Sequence, residues 1–298
     1  MPHVEYDVTA SVVLYKTSEA DLRAVAQSFL SSAGRIRLIA VDNSPTSVLA
    51  HAARSVAAEY IHSEANIGFG AAHNIAIRRY AQASRYHVIL NPDVYFSCDV
   101  IPRLTNYMDN NPDCGLVMPE VLYPDGTFQE LRRMLPSPFE VLARRFMQRA
   151  RPRFMREWID RGECKHLSRH EEALVPYLSG CFMFIRSELL AEIGGFDERF
   201  FMYFEDVDLC RRIGRRHLTV YYPGATVYHR FARESYKSRR LLIQHCLSAI
   251  KYFNHYGWVW DRERSLLNAR AASLSHRRTD ELRKVVTGTL TEAQVAKG

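Results

Sequence analysis

The stretch Val8–Ser44, VTASVVLYKTSEADLRAVAQSFLSSAGRIRLIAVDNS, decides the fold. Its first part, VTASVVLY, is β-rich, SEADLRAVAQSFLSS sets apolar residues at helical spacing, and IRLIAVDNS is a second apolar run closed by a polar turn. The pattern continues outward from there. VLAHAARSVAAEY (Val48–Tyr60) reads as a helix, GFGAAHNIAIRRYAQAS (Gly68–Ser84) as another, and YHVILNPDV (Tyr86–Val94) as a strand stopped by Asn-Pro. Such alternation predicts an α/β fold, a Rossmann-like, mostly parallel sheet flanked by helices. Ligands of these sheets sit beyond the carboxyl ends of the strands. The residues to watch are therefore Tyr15–Thr17, Asp42-Asn43-Ser44 and Asn91-Pro92-Asp93. A single Asp in such a place is as readily a turn former or helix cap. Carboxylates repeated at one edge favour a site.

With 298 residues, 47% of them hydrophobic, the chain can bury a substantial core, so disorder is not the default reading. A formal charge of +7 and a pI near 9.1 point to an anionic partner: a nucleic acid, a phosphorylated small molecule or an acidic membrane surface. The six cysteines are scattered without a CxxC pair, as expected of reduced thiols in a cytosolic protein. The opening MPHVEYDVTASVVLY carries Glu5 and Asp7 and reads as neither a secretory signal nor a spanning helix. No later run reaches the roughly 18 apolar residues of a transmembrane helix. Any membrane contact is expected from one side.

The middle of the chain changes character. RRFMQRARPRFMREWIDRGECK (Arg144–Lys165) interleaves Arg with Phe, Met and Trp, which suits a basic amphipathic helix on anionic lipid, or a solvated face whose Arg stems cover apolar neighbours. From Tyr236 the chain is again basic and helix-like. The expected division is residues 1–235, in two halves (1–115 and 116–235) of which the second carries a basic insertion at about 136–170, then a helical C-terminal extension, 236–298.

ANIGFGAAHNIAI, followed by Asp93, imitates a dinucleotide fingerprint, but His73 stands where the third glycine belongs and the first strand-to-helix turn, LYKTSEA, has no glycine. That weighs against an oxidoreductase. Nor is there a recognisable nucleic-acid motif, so no nucleic-acid partner is expected. The ordered set Asp42, Asn66-Ile67-Gly68, Asn91-Pro92-Asp93, LSGCFMFIR (Leu178–Arg186), GGFDERFFMYFEDVDLCRR (Gly194–Arg212) and YHRFARESYKS (Tyr228–Ser238) is more specific. Over about residues 8–238 the chain resembles the inverting family 2 glycosyltransferases of the GT-A fold, among them bacterial rhamnosyltransferases of O-antigen and cell-wall assembly.

That resemblance implies sugar transfer from a nucleotide donor, and the chemistry then sets three tasks. The nucleotide must be held, which falls to Asp42 at the base, with Tyr15, Asn66, Gly68 and Asn91 nearby. The leaving diphosphate must be neutralised. Asp93 is implied to hold Mg2+ or Mn2+, with His229 as a further contact, although Asn91 replaces the first Asp of the family's Asp-x-Asp. Arg230, Arg233 and Lys237 are the cations available to share that charge. The acceptor hydroxyl must lose a proton, and the resemblance assigns this to Asp206 of the Glu205-Asp206 pair, with attack from the opposite face inverting the anomeric centre. Acid in the first turn of a helix is also ordinary helix-start chemistry. The aromatic run FFMYF before it suits the walls of an acceptor pocket. Asp208 is spaced to pair with Arg211 and Arg212 on one helix. The implied donor is dTDP-L-rhamnose and the acceptor a polyprenyl-diphosphate-linked saccharide at the cytoplasmic face of the inner membrane. The alternatives are the same fold using a UDP-hexose or UDP-N-acetylhexosamine donor, and a catalytically silent scaffold, which Asn91 keeps open.

Overall fold

The computed structural model describes residues 4–146, 153–230 and 239–274. The opening stretch forms β1 (Tyr6–Leu14), α1 (Glu19–Leu30) and β2 (Ile36–Asp42). β1 is buried without a break from Val8 to Leu14, which is why its sequence is a continuous apolar run rather than an alternating one. Ser18 caps α1, accepting the Asp21 N–H at 3.1 Å.

Next comes a departure from expectation. The helix expected over Val48–Tyr60 is only six residues long, α2 (Ala50–Ser55). Ala57 turns left-handed at φ 59° and the chain enters a strand, β3 (Glu59–His62). α3 (Phe69–Tyr80) and β4 (Ser84–Leu90) then return to the far side of β1. Leu22, Val25, Ala26 and Phe29 of α1 share one core with Val8, Ala10, Val12 and Leu14, whereas Ala72, Ala76 and Tyr80 of α3 share another with Val13, Ile39 and Val41.

The remaining elements are β5 (Val94–Phe96), α4 (Val100–Asn110), β6 (Cys114–Leu122), β7 (Arg132–Arg133), α5 (Pro138–Phe146), α6 (Arg153–Gly162), β8 (Ala173–Leu174), β9 (Tyr177–Leu178), β10 (Phe182–Arg186), α7 (Ser187–Ile193), α8 (Glu205–Gly214), β11 (Leu218–His229), α9 (Arg239–Tyr256) and α10 (Arg262–Leu274). The main sheet runs β3-β2-β1-β4-β10-β6-β11-β5, with β8 also on β11. β1 to β4, β6 and β11 point one way; β10 opposes both its neighbours, and β5 and β8 oppose β11. β7 and β9 form a separate pair. Of the basic middle segment, the described residues form α5 and α6, and residues 147–152 lie outside them.

Because β2 and β3 lie on one side of β1 and β4 on the other, the strand order reverses at the β1–β4 boundary. A crevice opens at such a point, outside the carboxyl ends of the strands. Beneath it lies a buried polar strip. Ser11 Oγ sits 2.7 Å from His73 Nδ1 and 2.8 Å from His87 Nε2, and Thr9 Oγ1 lies 2.8 Å from His87 Nδ1. His73 thus ties α3 to β1, where a dinucleotide fold would use glycine to bring helix and sheet close. Burial pushes His87 down to about 3 and His73 well below the ordinary imidazole value, so both are neutral.

A third core, Leu135, Phe200, Phe204, Val207, Ala249, Tyr252 and Phe253, fastens α9 to α8. Arg212 pairs with Asp208 one turn away at 2.7 Å, as its spacing predicts. Arg211 does not. It donates instead to Asp261 at 2.6 and 2.7 Å and to Glu263 at 2.6 Å, because these two carboxylates at the start of α10 surround it in a buried pocket.

Candidate active site

Three clusters meet at the carboxyl edge of the sheet. The first follows β1 and β2. Tyr15 is exposed, and the Lys16 N–H donates to Ser44 Oγ at 2.9 Å. Asp42 is fully buried: Oδ1 accepts the Ser44 N–H at 2.8 Å and Oδ2 the Tyr60 hydroxyl at 2.7 Å. Asn43 Nδ2 donates to the Gly68 carbonyl at 3.0 Å, and Asn66 Oδ1 accepts the Gly68 N–H at 3.1 Å. Asp42, Asn66 and Gly68 therefore belong to one hydrogen-bonded edge. Gly68, at φ +96°, comes so near the next loop that a Cβ would stand 2.4 Å from the Phe201 carbonyl oxygen, to which the Phe69 N–H donates at 2.9 Å.

The second cluster is the Asn91-Pro92-Asp93 turn and the end of β11. Asp93 Oδ1 lies 3.3 Å, and Asn91 Nδ2 3.4 Å, from His229 Nε2. Sequence reasoning gave no sign of what holds the imidazole. Gln129 is buried; its Oε1 is 3.1 Å from His229 Nδ1, and its Nε2 donates to the carbonyls of His229 at 2.5 Å and Leu122 at 3.2 Å. This amide clamp fixes the ring and, by accepting the Nδ1 proton, turns Nε2 towards Asp93. Burial works against a proton on His229, but Cys181 and Asp93 outweigh it and raise the imidazole to about 10.

A carboxylate, the Asn91 amide oxygen and, once a cation displaces its Nε2 proton, the His229 imidazole suit a hard divalent cation, with Asp93 open on one side. Among the described residues no cluster of three or more His, Cys, Asp and Glu is gathered for a metal. Asp93 and His229, with the Asn91 amide beside them, are the residues that would hold Mg2+ or Mn2+. Arg230 is engaged elsewhere, donating to Asp21 at 2.7 Å with its guanidinium over the Tyr95 ring, while Arg233 and Lys237 lie outside the described residues.

The third cluster is the start of α8. Asp206 Oδ2 accepts the Tyr177 hydroxyl at 3.1 Å and the Gly180 N–H at 3.0 Å, and Oδ1 accepts the Val207 N–H at 2.9 Å. Burial raises the Asp206 carboxyl, and these three donors restrain the rise. Glu205 is buried and pushed well upward, first by burial and then by the Asp206 charge; its Oε2 has no hydrogen-bond partner among the described residues. The negative charge of the pair thus rests on Asp206. Tyr203 and Phe204 precede it at φ 69° and 68°, a left-handed pair without glycine of the kind that accumulates at functional sites. The run FFMYF divides by burial: Phe200 and Phe204 are core, whereas Phe201, Met202 and Tyr203 are half-buried.

Neighbouring residues join the clusters. The Gly180 N–H reaches Asp206, and the carbonyl of Cys181, one residue on, accepts the Asn91 N–H at 2.9 Å. LSGCFMFIR carried this signal in the sequence; Tyr177, just before it, and Gln129 did not stand out.

The family profile of glycosyltransferase-like family 2 matches residues 8–245. An N-acetylglucosaminyl-diphospho-decaprenol L-rhamnosyltransferase of Mycobacterium tuberculosis is 28% identical over 269 residues, 85% of this chain and 87% of that protein. Rhamnosyltransferase WbbL of Escherichia coli is 26% identical over 163 residues, 53% of this chain and 58% of that protein. Among solved structures, GalNAc-T7 with UDP, GalNAc and Mn2+ superposes with a TM-score of 0.64 at 13% identity, over 94% of this chain and 54% of that one. This chain therefore spans about half of that enzyme. The mannosyltransferase PcManGT of Pyrobaculum calidifontis, in complex with GDP-Man and Mn2+, gives 0.55 at 16% identity, over 97% of this chain and 81% of that one. At such identities the structural likeness is one of fold.

Proposed function

Given that the chain belongs to glycosyltransferase-like family 2 and has the GT-A fold of a glycosyltransferase, we propose that it inverts the anomeric centre as it moves L-rhamnose from dTDP-L-rhamnose to a hydroxyl of a polyprenyl-diphosphate-linked saccharide. The observation that carries this reading is the join between Asp206 and the Asn91–Asp93 turn through Gly180 and Cys181. A proton acceptor and a diphosphate site are held at fixed spacing by two consecutive residues. The two rhamnosyltransferases among its relatives support the choice of sugar.

In this scheme the donor nucleotide lies over the edge formed by Tyr15, Asn66 and Gly68, with the Asp42–Tyr60 pair as the floor of the base pocket. Asp206 accepts the proton of the acceptor hydroxyl, whose oxygen bonds to the anomeric carbon while the bond to the diphosphate breaks on the opposite face. Glu205, kept neutral, leaves the charge on its neighbour. Bound at Asp93 and His229, Mg2+ or Mn2+ would supply Lewis-acid stabilisation of the leaving diphosphate. Arg230, on exchanging Asp21 for the diphosphate, shares that charge with Arg233 and Lys237. The units are a GT-A part (1–235) and a C-terminal extension (236–298), whose described residues 239–274 carry α9 and α10, seated peripherally on the anionic cytoplasmic face of the inner membrane. No helix among the described residues is long and apolar enough to cross it.

The Asp206→Asn variant tests the scheme. It should bind the donor normally and lose about 10²- to 10⁴-fold in turnover, the range of general-base catalysis. Near wild-type turnover would remove Asp206 from the role.

A further inference from the structure

α9 has two unlike faces. Its inner face buries Ser248, Ala249, Tyr252 and Phe253, and His245 lies 5.4 Å, centroid to centroid, from both Tyr203 and Phe204. Its outer face exposes Ile243, Leu247 and Ile250, whose spacing of four and three residues makes a single stripe. Past Gly257 the chain continues with Trp258, Val259 and Trp260, of which Val259 is 73% and Trp260 90% exposed. Water is a poor solvent for such a surface, and the surrounding charge indicates what covers it. From Arg239 to Trp260 there is no Asp or Glu, while Arg239, Arg240 and Lys251 are exposed along the same stretch. An apolar stripe on a helix whose only charged side chains are cations, with tryptophans at one end, matches the headgroup boundary of an anionic bilayer, where aromatic rings and basic side chains are both favoured.

We propose that the outer face of α9 and the Trp258–Trp260 turn form a lipid-seating surface, with α9 lying in the plane of an anionic membrane. This rests on the functional reading above and adds the surface through which the lipid-linked acceptor is met. The inner face of the same helix touches Tyr203 and Phe204, the two residues before Glu205-Asp206. A saccharide anchored in that bilayer then has only the thickness of one helix to span before reaching the base.

The test is co-sedimentation of the full chain with phosphatidylcholine vesicles, with and without phosphatidylglycerol, at low and at physiological salt. Two variants accompany it, Ile243→Ser/Leu247→Ser/Ile250→Ser and Trp258→Ser/Trp260→Ser, each checked for its fold by circular dichroism. Wild type should bind the anionic vesicles, weaken as salt rises, and lose at least about tenfold in partitioning in either variant. Transfer to a water-soluble acceptor should be unchanged. Wild type left in the supernatant at low salt, or variants that sediment as well as wild type, would overturn the proposal. So would light scattering that finds a dimer dissociated by the same substitutions, which would give the face to a second copy. Vesicle binding without sugar transfer would leave the surface standing and sink the donor assignment, so the two failures are distinguishable.

Discussion

Gly68 packs the turn after Asn66 against the backbone of Phe201, and Gly68→Ala measures how much depends on that junction. Two costs follow from its surroundings. The backbone at φ +96°, ψ 170° belongs to glycine, and forcing a Cβ into it costs about 1–3 kcal/mol. That Cβ would also stand 2.4 Å from the Phe201 carbonyl oxygen. Because the obstacle is backbone, relief requires the loops to part and breaks the Phe69 N–H bond to Phe201, worth about 1 kcal/mol more. The sum is about 3 kcal/mol, or a melting temperature lower by roughly 6–12 °C for a domain of this size. Gly126 is the control: it also has a positive φ, +81°, but a Cβ there meets nothing within 4 Å. Gly126→Ala should cost only the conformational part, about 1 kcal/mol. Calorimetric melts give the stabilities, and steady-state kinetics should find kcat/KM about 10²-fold lower for Gly68→Ala alone, as its loops are displaced on the order of an ångström. Equal melting temperatures for the two variants, with equal kcat/KM, would refute the claim that this contact sets the geometry of the site.

Gln129→Met, which removes the clamp on His229, should weaken Mn2+ binding in the presence of donor nucleotide by about 10- to 100-fold. Gln129→Glu, still able to accept the Nδ1 proton, should recover part of it; electron paramagnetic resonance reads the free ion, and an unchanged affinity in Gln129→Met would dismiss the clamp. Tyr177→Phe removes a donor that restrains the Asp206 carboxyl, so the acidic limb of the kcat profile should move to higher pH. A limb that stays in place would separate Tyr177 from the base. His73 and His87 are neutral in the fold but take protons below about pH 6.5 when unfolded, so their contribution is complete above that pH and is lost as pH falls towards about 3 for His87. His87 should cost about 2 kcal/mol between pH 6.5 and 5, with His73 adding in the same direction, and His87→Asn should flatten the slope of urea-measured stability against pH over that window. A slope equal to wild type would mean that other groups carry it.

How far the sequence could be read depended on whether the deciding contacts were local. β1, α1, β2, α3 and β4 were legible because burial on one or both faces writes itself into the period of apolar residues. β3 was not. Ala-rich flanks extended the helical pattern past Ser55, and the left-handed turn that ends α2 falls on Ala57, where no glycine announces it. The Asp208–Arg212 pair was legible from its spacing, but Arg211 answers to Asp261 and Glu263, about fifty residues away, and intrahelical spacing says nothing of that. In the same way, Asp93 and His229 stood out by resemblance. Gln129, which orients the imidazole, follows an ordinary Pro-Asp-Gly turn and acts only because that turn folds back under the end of β11. The aromatic run before Glu205 divides into core and half-buried residues according to backbone conformation at Tyr203 and Phe204, which composition does not reveal.

The most direct measurement is calorimetry of the intact protein with dTDP-L-rhamnose, UDP-glucose, UDP-galactose, UDP-N-acetylglucosamine and GDP-mannose, in Mn2+ and then in EDTA. Selective binding of dTDP-L-rhamnose, lost with EDTA and in Asp93→Ala, is the expected result. Preference for another donor would keep the mechanism and discard the sugar, whereas binding that ignores both EDTA and Asp93→Ala would contradict the assignment of Asp93 and His229 to a cation.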